Sequence, residues 1–116
     1  MFFSEIRKKD VPIVGGKNAS LGEMYTQLTQ KGINIPNGFA TTADAYKYFL
    51  SYNGIDKKIA EIFAKIDLNK LEDVQKAGKL CRNLTMKSKF PDDLRREIIE
   101  AYEKLCEEYG EDTDVA

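Results

Sequence analysis

The sequence predicts an α+β protein that is predominantly helical, with about five helices and two or three short strands. Apolar residues recur at the three- and four-residue spacing of an amphipathic helix along most of the 116-residue chain. Short stretches near Phe3 and Phe39 lack that spacing and lie close to turn-forming residues, which favours extended backbone. A chain of this length can bury one modest core, so we expect a single compact unit.

The first helix is predicted from about residue 18 to residue 31, after an extended opening at residues 1–6. Its apolar face is formed by Leu21, Met24, Tyr25 and Leu28. Gly32 follows directly and favours a helix end, because glycine readily adopts the left-handed conformation found there. Between the opening and this helix, the Gly15-Gly16 pair is expected to turn the chain.

A second extended stretch and a second helix are predicted around position 40. The Asn37-Gly38 pair favours a turn, and residues 39–41 are predicted as a short strand. Thr41, followed three residues later by Asp44, has the pattern of a capping box, which is typical of a helix start. We therefore expect the second helix to begin at about Thr42.

Three further amphipathic helices are predicted between residues 55 and 110. The faces that line the first two consist of Ile59, Ile62, Phe63 and Ile66, and then of Leu71, Val74, Ala77, Gly78, Cys81 and Leu84. The second of these helices is expected to run to about Met86. The third should begin at Pro91, because proline is well tolerated in a first turn and the acidic Asp92 and Asp93 favour a helix start. Val115 and Ala116 have the apolar character of a buried strand, so we expect the chain to stop where a sheet would begin.

The charge of the chain excludes several classes of partner. With 18 basic and 19 acidic residues, its net charge of −1 offers no long-range attraction to nucleic acid or to an anionic membrane. No apolar run has the length of a membrane span, and the first ten residues carry charges where a signal peptide needs apolar residues. We expect a cytoplasmic protein that binds neither nucleic acid nor membrane.

The absence of histidine restricts the chemistry further. A sequence without histidine cannot contain a Ser-His-Asp triad, a histidine-ligated metal or a phosphohistidine. Cys81 and Cys106 lie far apart in predicted helices and match no metal-ligand spacing. Any chemistry here must therefore rely on lysine, carboxylates and backbone groups; we expect no metal site and assign no catalytic residue to this chain.

The most specific chemical signal is the turn formed by Gly15, Gly16 and Lys17, directly before the first helix. A helix start presents unpaired N–H groups and a partial positive charge, so it attracts phosphate. Glycines allow the backbone to approach closely, and the lysine adds a mobile positive charge. The same residues also suit a tight corner with a solvated lysine. The string is shorter than the P-loop motif, so it is weak evidence for a phosphate site. The motif alone leaves both interpretations open.

Three neighbouring residues are weaker candidates. Asn18 and Ser20 could donate to phosphate, but both residue types commonly cap helix starts, and capping is the interpretation we favour. Glu23 could hold a metal ion through water, yet a solvated carboxylate on a helix is the simpler assignment. The predicted phosphate-binding residues are therefore Lys17, Gly15 and Gly16.

Three blocks of sequence together resemble a known family. They read VPIVGGKNASLGEM at residues 11–24, NIPNGFATTADAYKYFL at residues 34–50 and, more loosely, FPDDLRREIIEAYEKL at residues 90–105. Their order and spacing resemble the N-terminus of the family of phosphoenolpyruvate synthase (pyruvate, water dikinase) and pyruvate phosphate dikinase. Asn18, Ser20 and Gly22 are more similar to the synthase branch, with the dikinase branch and the rifampin phosphotransferases as alternatives.

The resemblance implies that residues 1–116 are the N-terminal part of an ATP-grasp-type ATP/phosphoenolpyruvate-binding domain, truncated at its C-terminal end. It also implies that Lys17 contacts the phosphates of ATP, which binds with Mg²⁺ in the full-length enzyme. In this family a pyrophosphoryl group then passes to a histidine on a separate domain, and a third domain phosphorylates pyruvate. Neither of those domains is expected within this chain.

The implied function is therefore that of a segment of a phosphotransferase with paired acceptors, which converts ATP, pyruvate and water into phosphoenolpyruvate, AMP and phosphate. Its partners would be ATP and the rest of the full-length enzyme, with pyruvate reached only through other domains. The family continues, after a position matching Ala116, with an arginine that binds the nucleotide, so we expect the isolated segment to be inactive. The alternative is an independent helical interaction module in which the Gly-Gly-Lys turn only packs.

Overall fold

The computed structural model describes residues 1–111 and 113–115, and in these ranges it contains five α-helices. After a short 3₁₀ helix at Lys8–Asp10 they are α1 (Val11–Thr29), α2 (Ala43–Tyr52), α3 (Ile55–Ala64), α4 (Leu71–Lys87) and α5 (Asp92–Tyr109). No helix of the described residues has the length and apolar character that crossing a bilayer requires. The chain divides into two compact units, residues 1–46 with the chain from Asp92 onward, and residues 47–91. The predicted predominance of helix is confirmed.

The predicted strands near Phe3 and Phe39 are absent from the described residues, where a single isolated antiparallel bridge joins Phe2 to Phe39. Backbone hydrogen bonds of 2.8 Å flank this bridge on both sides. The pairing goes no further because the chain turns at once, with Glu5 N donating to Phe2 O at 2.9 Å. A strand needs several consecutive extended residues, so the α+β part of the prediction is wrong.

The core of the first unit forms around Ile6, which has no exposed surface. Val14 and Ala19 of α1 and Ala40 of the second sequence block belong to the same buried cluster, and Phe3 packs against it. The N-terminal residues are thus held on α1 by apolar burial, which is the dominant stabilising term in such a core.

Two glycines have no room for a side chain. A Cβ at Gly22 would lie 2.6 Å from the carbonyl oxygen of Ile6 and 2.7 Å from its Cβ. A Cβ at Gly38 would lie 2.6 Å from the ring of Phe3. Both glycines are therefore packing residues that let the N-terminal segment approach the backbone closely.

α1 begins earlier than predicted, at Val11 rather than near Asn18. Pro12 lies in its first turn, where proline is favourable because its missing N–H has no helical acceptor to lose. At Gly15 the backbone leaves helical geometry, with φ 81° and ψ 161°. α1 therefore consists of one turn, a break and a longer helical segment.

The start of α2 is close to its predicted position but has a different cap. Thr42 Oγ1 accepts a hydrogen bond from Ala45 N at 3.1 Å, so Thr42 caps the helix and the Thr41 capping box is wrong. α5 begins at Asp92, directly after the fully buried Pro91, close to its predicted start. Both helix starts thus lie about one residue from their predicted positions.

The second unit contains the packed pair α3 and α4, with Ala77 of α4 fully buried. The ring of Phe49 lies 5.3 Å from the ring of Phe90. The Asn53 side chain makes two hydrogen bonds to the backbone of Lys89, donating to its O at 3.0 Å and accepting from its N at 3.1 Å. These contacts join the end of α2 to the segment that follows α4.

Residues at the end of α5 form hydrogen bonds with Asn37 of the second sequence block. Asn37 N donates to Tyr109 Oη at 2.6 Å, and Asn37 Nδ2 donates to Glu108 Oε2 at 3.0 Å. Past this helix, Val115 is 63% exposed and lies outside any strand, so the predicted buried strand is wrong at that residue. Ala116, its other predicted member, lies outside the described residues.

We predict that Gly22→Ala lowers the free energy of unfolding of this chain by about 1–3 kcal/mol, the usual cost of overpacking a core. The added methyl group must displace the backbone of Ile6, which cannot move without opening the buried cluster. Urea denaturation measures the difference.

The matched control is Gly78→Ala in α4, whose Cβ would meet only the flexible end of Arg82, at 3.3 Å. This helix-interior substitution should leave stability unchanged or raise it by about 0.5–1 kcal/mol. An equal loss in both variants would contradict the packing role of Gly22.

Candidate functional site

The predicted phosphate-binding residues lie at the break in α1. Gly15 has a φ of +81°, a conformation that L side chains rarely adopt. The longer helical segment starts directly after it, which places Gly16 and Lys17 in a first turn. N–H groups in a first turn lack intrahelical acceptors and lie at the positive end of the helix dipole.

Buried residues anchor this turn on both sides. Val14 precedes it and Ala19 follows it, with 7% and 2% of their surfaces exposed, and both belong to the cluster around Ile6. The three residues Gly15, Gly16 and Lys17 are exposed. The turn is therefore an exposed stretch of backbone whose two ends are fixed by the core.

The space around the turn is open. A Cβ at Gly15 or at Gly16 would meet no atom within 4 Å. The ammonium group of Lys17 makes no hydrogen bond or ion pair with any residue that the structure describes. An anion can therefore reach both glycine backbones and the ammonium group without displacing a side chain.

Asn18 and Ser20 do not cap the helix start, contrary to the prediction. Asn18 Nδ2 donates to Val14 O at 2.9 Å, and Ser20 Oγ donates to Gly16 O at 2.9 Å. A capping side chain accepts a hydrogen bond from an N–H group, whereas these two donate to carbonyl groups four residues earlier. The Ser20 hydroxyl proton is therefore engaged, as is one of the two N–H groups of the Asn18 amide.

Glu23 binds the backbone of the segment that precedes α1. Its Oε1 accepts from Lys8 N at 2.8 Å, and its Oε2 accepts from Gln27 Nε2 at 2.7 Å. The bond from Lys8, and after it the bond from Gln27, holds the pKa of Glu23 below its ordinary range. The carboxylate of Glu23, predicted to be solvated, therefore links α1 to the backbone at Lys8. Sequence reasoning missed this hydrogen bond because Lys8 N lies fifteen residues away.

The chemistry of the turn fits a phosphate group and not a cation. It offers backbone N–H groups and one ammonium group, whereas Mg²⁺ prefers carboxylate and phosphate oxygens. Within residues 1–111 and 113–115 no cluster of three or more histidine, cysteine, aspartate or glutamate side chains could hold a metal ion. Carboxylate ligands for an ATP-bound Mg²⁺ are therefore not part of this turn.

Comparison with known proteins identifies the family. Residues 11–116 match the family model described as the pyruvate phosphate dikinase AMP/ATP-binding domain. The chain belongs to this family. The matched range starts at the first residue of α1 and includes the turn at Gly15, Gly16 and Lys17, and it confirms the resemblance inferred from the three sequence blocks.

Similar curated members of the pyruvate phosphate dikinase family are phosphoenolpyruvate synthases. The chain is 47% identical over 111 residues to the enzyme of Synechocystis sp., 44% over 110 residues to that of Neisseria meningitidis and 43% over 116 residues to that of Helicobacter pylori. The alignments cover 96%, 95% and 99% of this chain. The chain spans 14% of the length of each of these relatives.

We predict that Glu23→Gln removes part of the pH dependence of stability. Because the pKa of Glu23 is lowered in the folded chain, its ionised form stabilises the fold above the unfolded pKa of about 4.3. That contribution disappears as the pH falls through the lower folded value. Urea denaturation measures the difference in free energy of unfolding between wild type and Glu23→Gln. This difference should shrink between pH 6 and pH 3. A constant difference would contradict the hydrogen bond from Lys8 N to Glu23.

Proposed function

We propose that this chain is the N-terminal part of the ATP-binding domain of a phosphoenolpyruvate synthase-like enzyme, and that its turn at Gly15, Gly16 and Lys17 binds the phosphates of ATP. The observation that carries the proposal is the break in α1, which puts two bare glycine backbones and an exposed lysine at a helix start. Membership of the AMP/ATP-binding family supports the choice of nucleotide.

Three contributions at the turn favour a triphosphate. First-turn N–H groups donate to phosphate oxygens without a side chain. The helix dipole adds a partial positive charge at the same place. The ammonium group of Lys17 is exposed and can move to whichever phosphate oxygen carries most charge.

The complete reaction needs groups from outside the chain. ATP, pyruvate and water would be converted into phosphoenolpyruvate, AMP and phosphate through a phosphohistidine, and this sequence has no histidine. Phosphoryl transfer also needs Mg²⁺ and several cationic groups around the phosphates. Those groups would be supplied by the rest of a longer, cytoplasmic enzyme, in which this chain contacts ATP and the neighbouring domains.

The synthase assignment takes precedence over the dikinase and the rifampin phosphotransferase because the similar relatives described above are named phosphoenolpyruvate synthases. In the synthase reaction water accepts one phosphate of ATP, whereas in the dikinase reaction orthophosphate does. Phosphoenolpyruvate formation in buffer without added orthophosphate therefore supports the synthase assignment, and strict dependence on orthophosphate contradicts it.

We predict that Lys17→Ala in the full-length enzyme weakens binding of a non-hydrolysable ATP analogue by about 10- to 100-fold, because a hydrogen bond to a charged group contributes about 1.5–3 kcal/mol. It should also abolish ATP-dependent formation of phosphoenolpyruvate. Isothermal titration calorimetry measures the affinity, and thermal unfolding checks that the fold is intact, as expected for an exposed side chain.

Lys31→Ala is the matched control, because Lys31 is an exposed lysine beyond the other end of α1. It should leave both affinity and activity unchanged. Gly16→Ala is a second test at the turn: its methyl group meets no neighbouring atom, so the fold should tolerate it while analogue binding weakens. Wild-type binding in both Lys17→Ala and Gly16→Ala would favour the alternative of a helical interaction module.

A further inference from the structure

The side chain of Asn18 bridges the break in α1. The backbone leaves helical geometry at Gly15, and the side-chain amide of Asn18 donates to Val14 O at 2.9 Å. This side-chain hydrogen bond joins the last residue before the break to the helical segment after it.

Ser20 makes a similar bond that does not cross the break. Its Oγ donates to Gly16 O at 2.9 Å, and both residues lie in the segment that follows Gly15. The bond of Ser20 therefore adds to a helical turn that already exists. The bond of Asn18 is different, because it fixes the position of one segment relative to the other.

Little else supports the exposed part of the turn. A Cβ at Gly15 or Gly16 would meet no atom within 4 Å, so the side of each glycine on which a Cβ would stand is open. Asn18 is half-buried and Val14 is buried, which screens their bond from water. A hydrogen bond in such a place restrains a flexible pair of glycines, which would otherwise lose much backbone entropy on binding a ligand.

We propose that Asn18 is a positioning residue for the nucleotide: its side-chain amide locks the Gly15 break in the shape that presents the backbone N–H groups and Lys17 to phosphate. The inference rests on the proposed function of the turn. The role assigned to Asn18 is the bond from one amide N–H to Val14 O, and it requires no contact with ATP. Pre-organisation by Asn18 instead reduces the conformational cost of binding the triphosphate.

The test compares Asn18→Ala, Asn18→Ser and Ser20→Ala in the full-length enzyme, with a non-hydrolysable ATP analogue and Mg²⁺ as the probe. Asn18→Ala removes the donor and should weaken binding about tenfold, the equivalent of one lost hydrogen bond. Asn18→Ser keeps a shorter donor at this position, of the kind that reaches the carbonyl four residues earlier at Ser20 and Ser88, at 2.9 and 2.8 Å. It should recover part of the affinity, and Ser20→Ala should bind as the wild type does.

The outcomes separate this inference from the proposed function. If Lys17→Ala, run alongside, binds the analogue normally, the phosphate site itself is wrong. If Lys17→Ala is weak and Asn18→Ala binds normally, the phosphate site stands and the positioning role is overturned. Weaker binding in Asn18→Ser than in Asn18→Ala also overturns it, because a retained donor should not lower the affinity further. A purely structural role would lower the melting temperature of Asn18→Ala without changing its affinity.

Discussion

The positive φ of Gly15 is the constraint on which the rest of the site depends. Because this residue leaves helical geometry, α1 has a second helix start within its own length. That start lies between Val14 and Ala19, which are both buried in the cluster around Ile6. The core therefore holds the two ends of the turn while Gly15, Gly16 and Lys17 remain exposed, an arrangement that gives an anion access to fixed backbone N–H groups.

The N-terminal segment contacts α1 closely and so helps to hold the helix that carries the turn. Ile6 packs on Gly22 so tightly that a Cβ there would overlap its backbone, and Glu23 accepts a hydrogen bond from Lys8 N in the adjoining 3₁₀ helix. The part of the sequence that resembles the family most specifically therefore combines two roles. Gly15, Gly16 and Lys17 form the proposed site, whereas Gly22 and Glu23 hold the helix that presents it.

Sequence patterns predicted the number of helices and most of their positions, apart from the start of α1. They predicted the contacts between distant residues poorly. The start of α5 after Pro91 and the course of α4 follow from local signals, and both were predicted to within about one residue. The strands near Phe3 and Phe39 were wrong because their pairing ends at an early turn. The turn at Gly15 was predicted from residue types alone, but the roles of Asn18 and Glu23 depend on geometry at the break and on a partner fifteen residues away.

The most direct measurement is the rate at which Lys17 is acetylated in the full-length enzyme, followed by peptide mass spectrometry with and without Mg²⁺ and ATP. We expect ATP to protect Lys17, because its ammonium group becomes engaged by phosphate, whereas the exposed Lys31 should react at the same rate in both samples. Equal reaction of Lys17 with and without saturating ATP would contradict the claim that this turn binds the triphosphate.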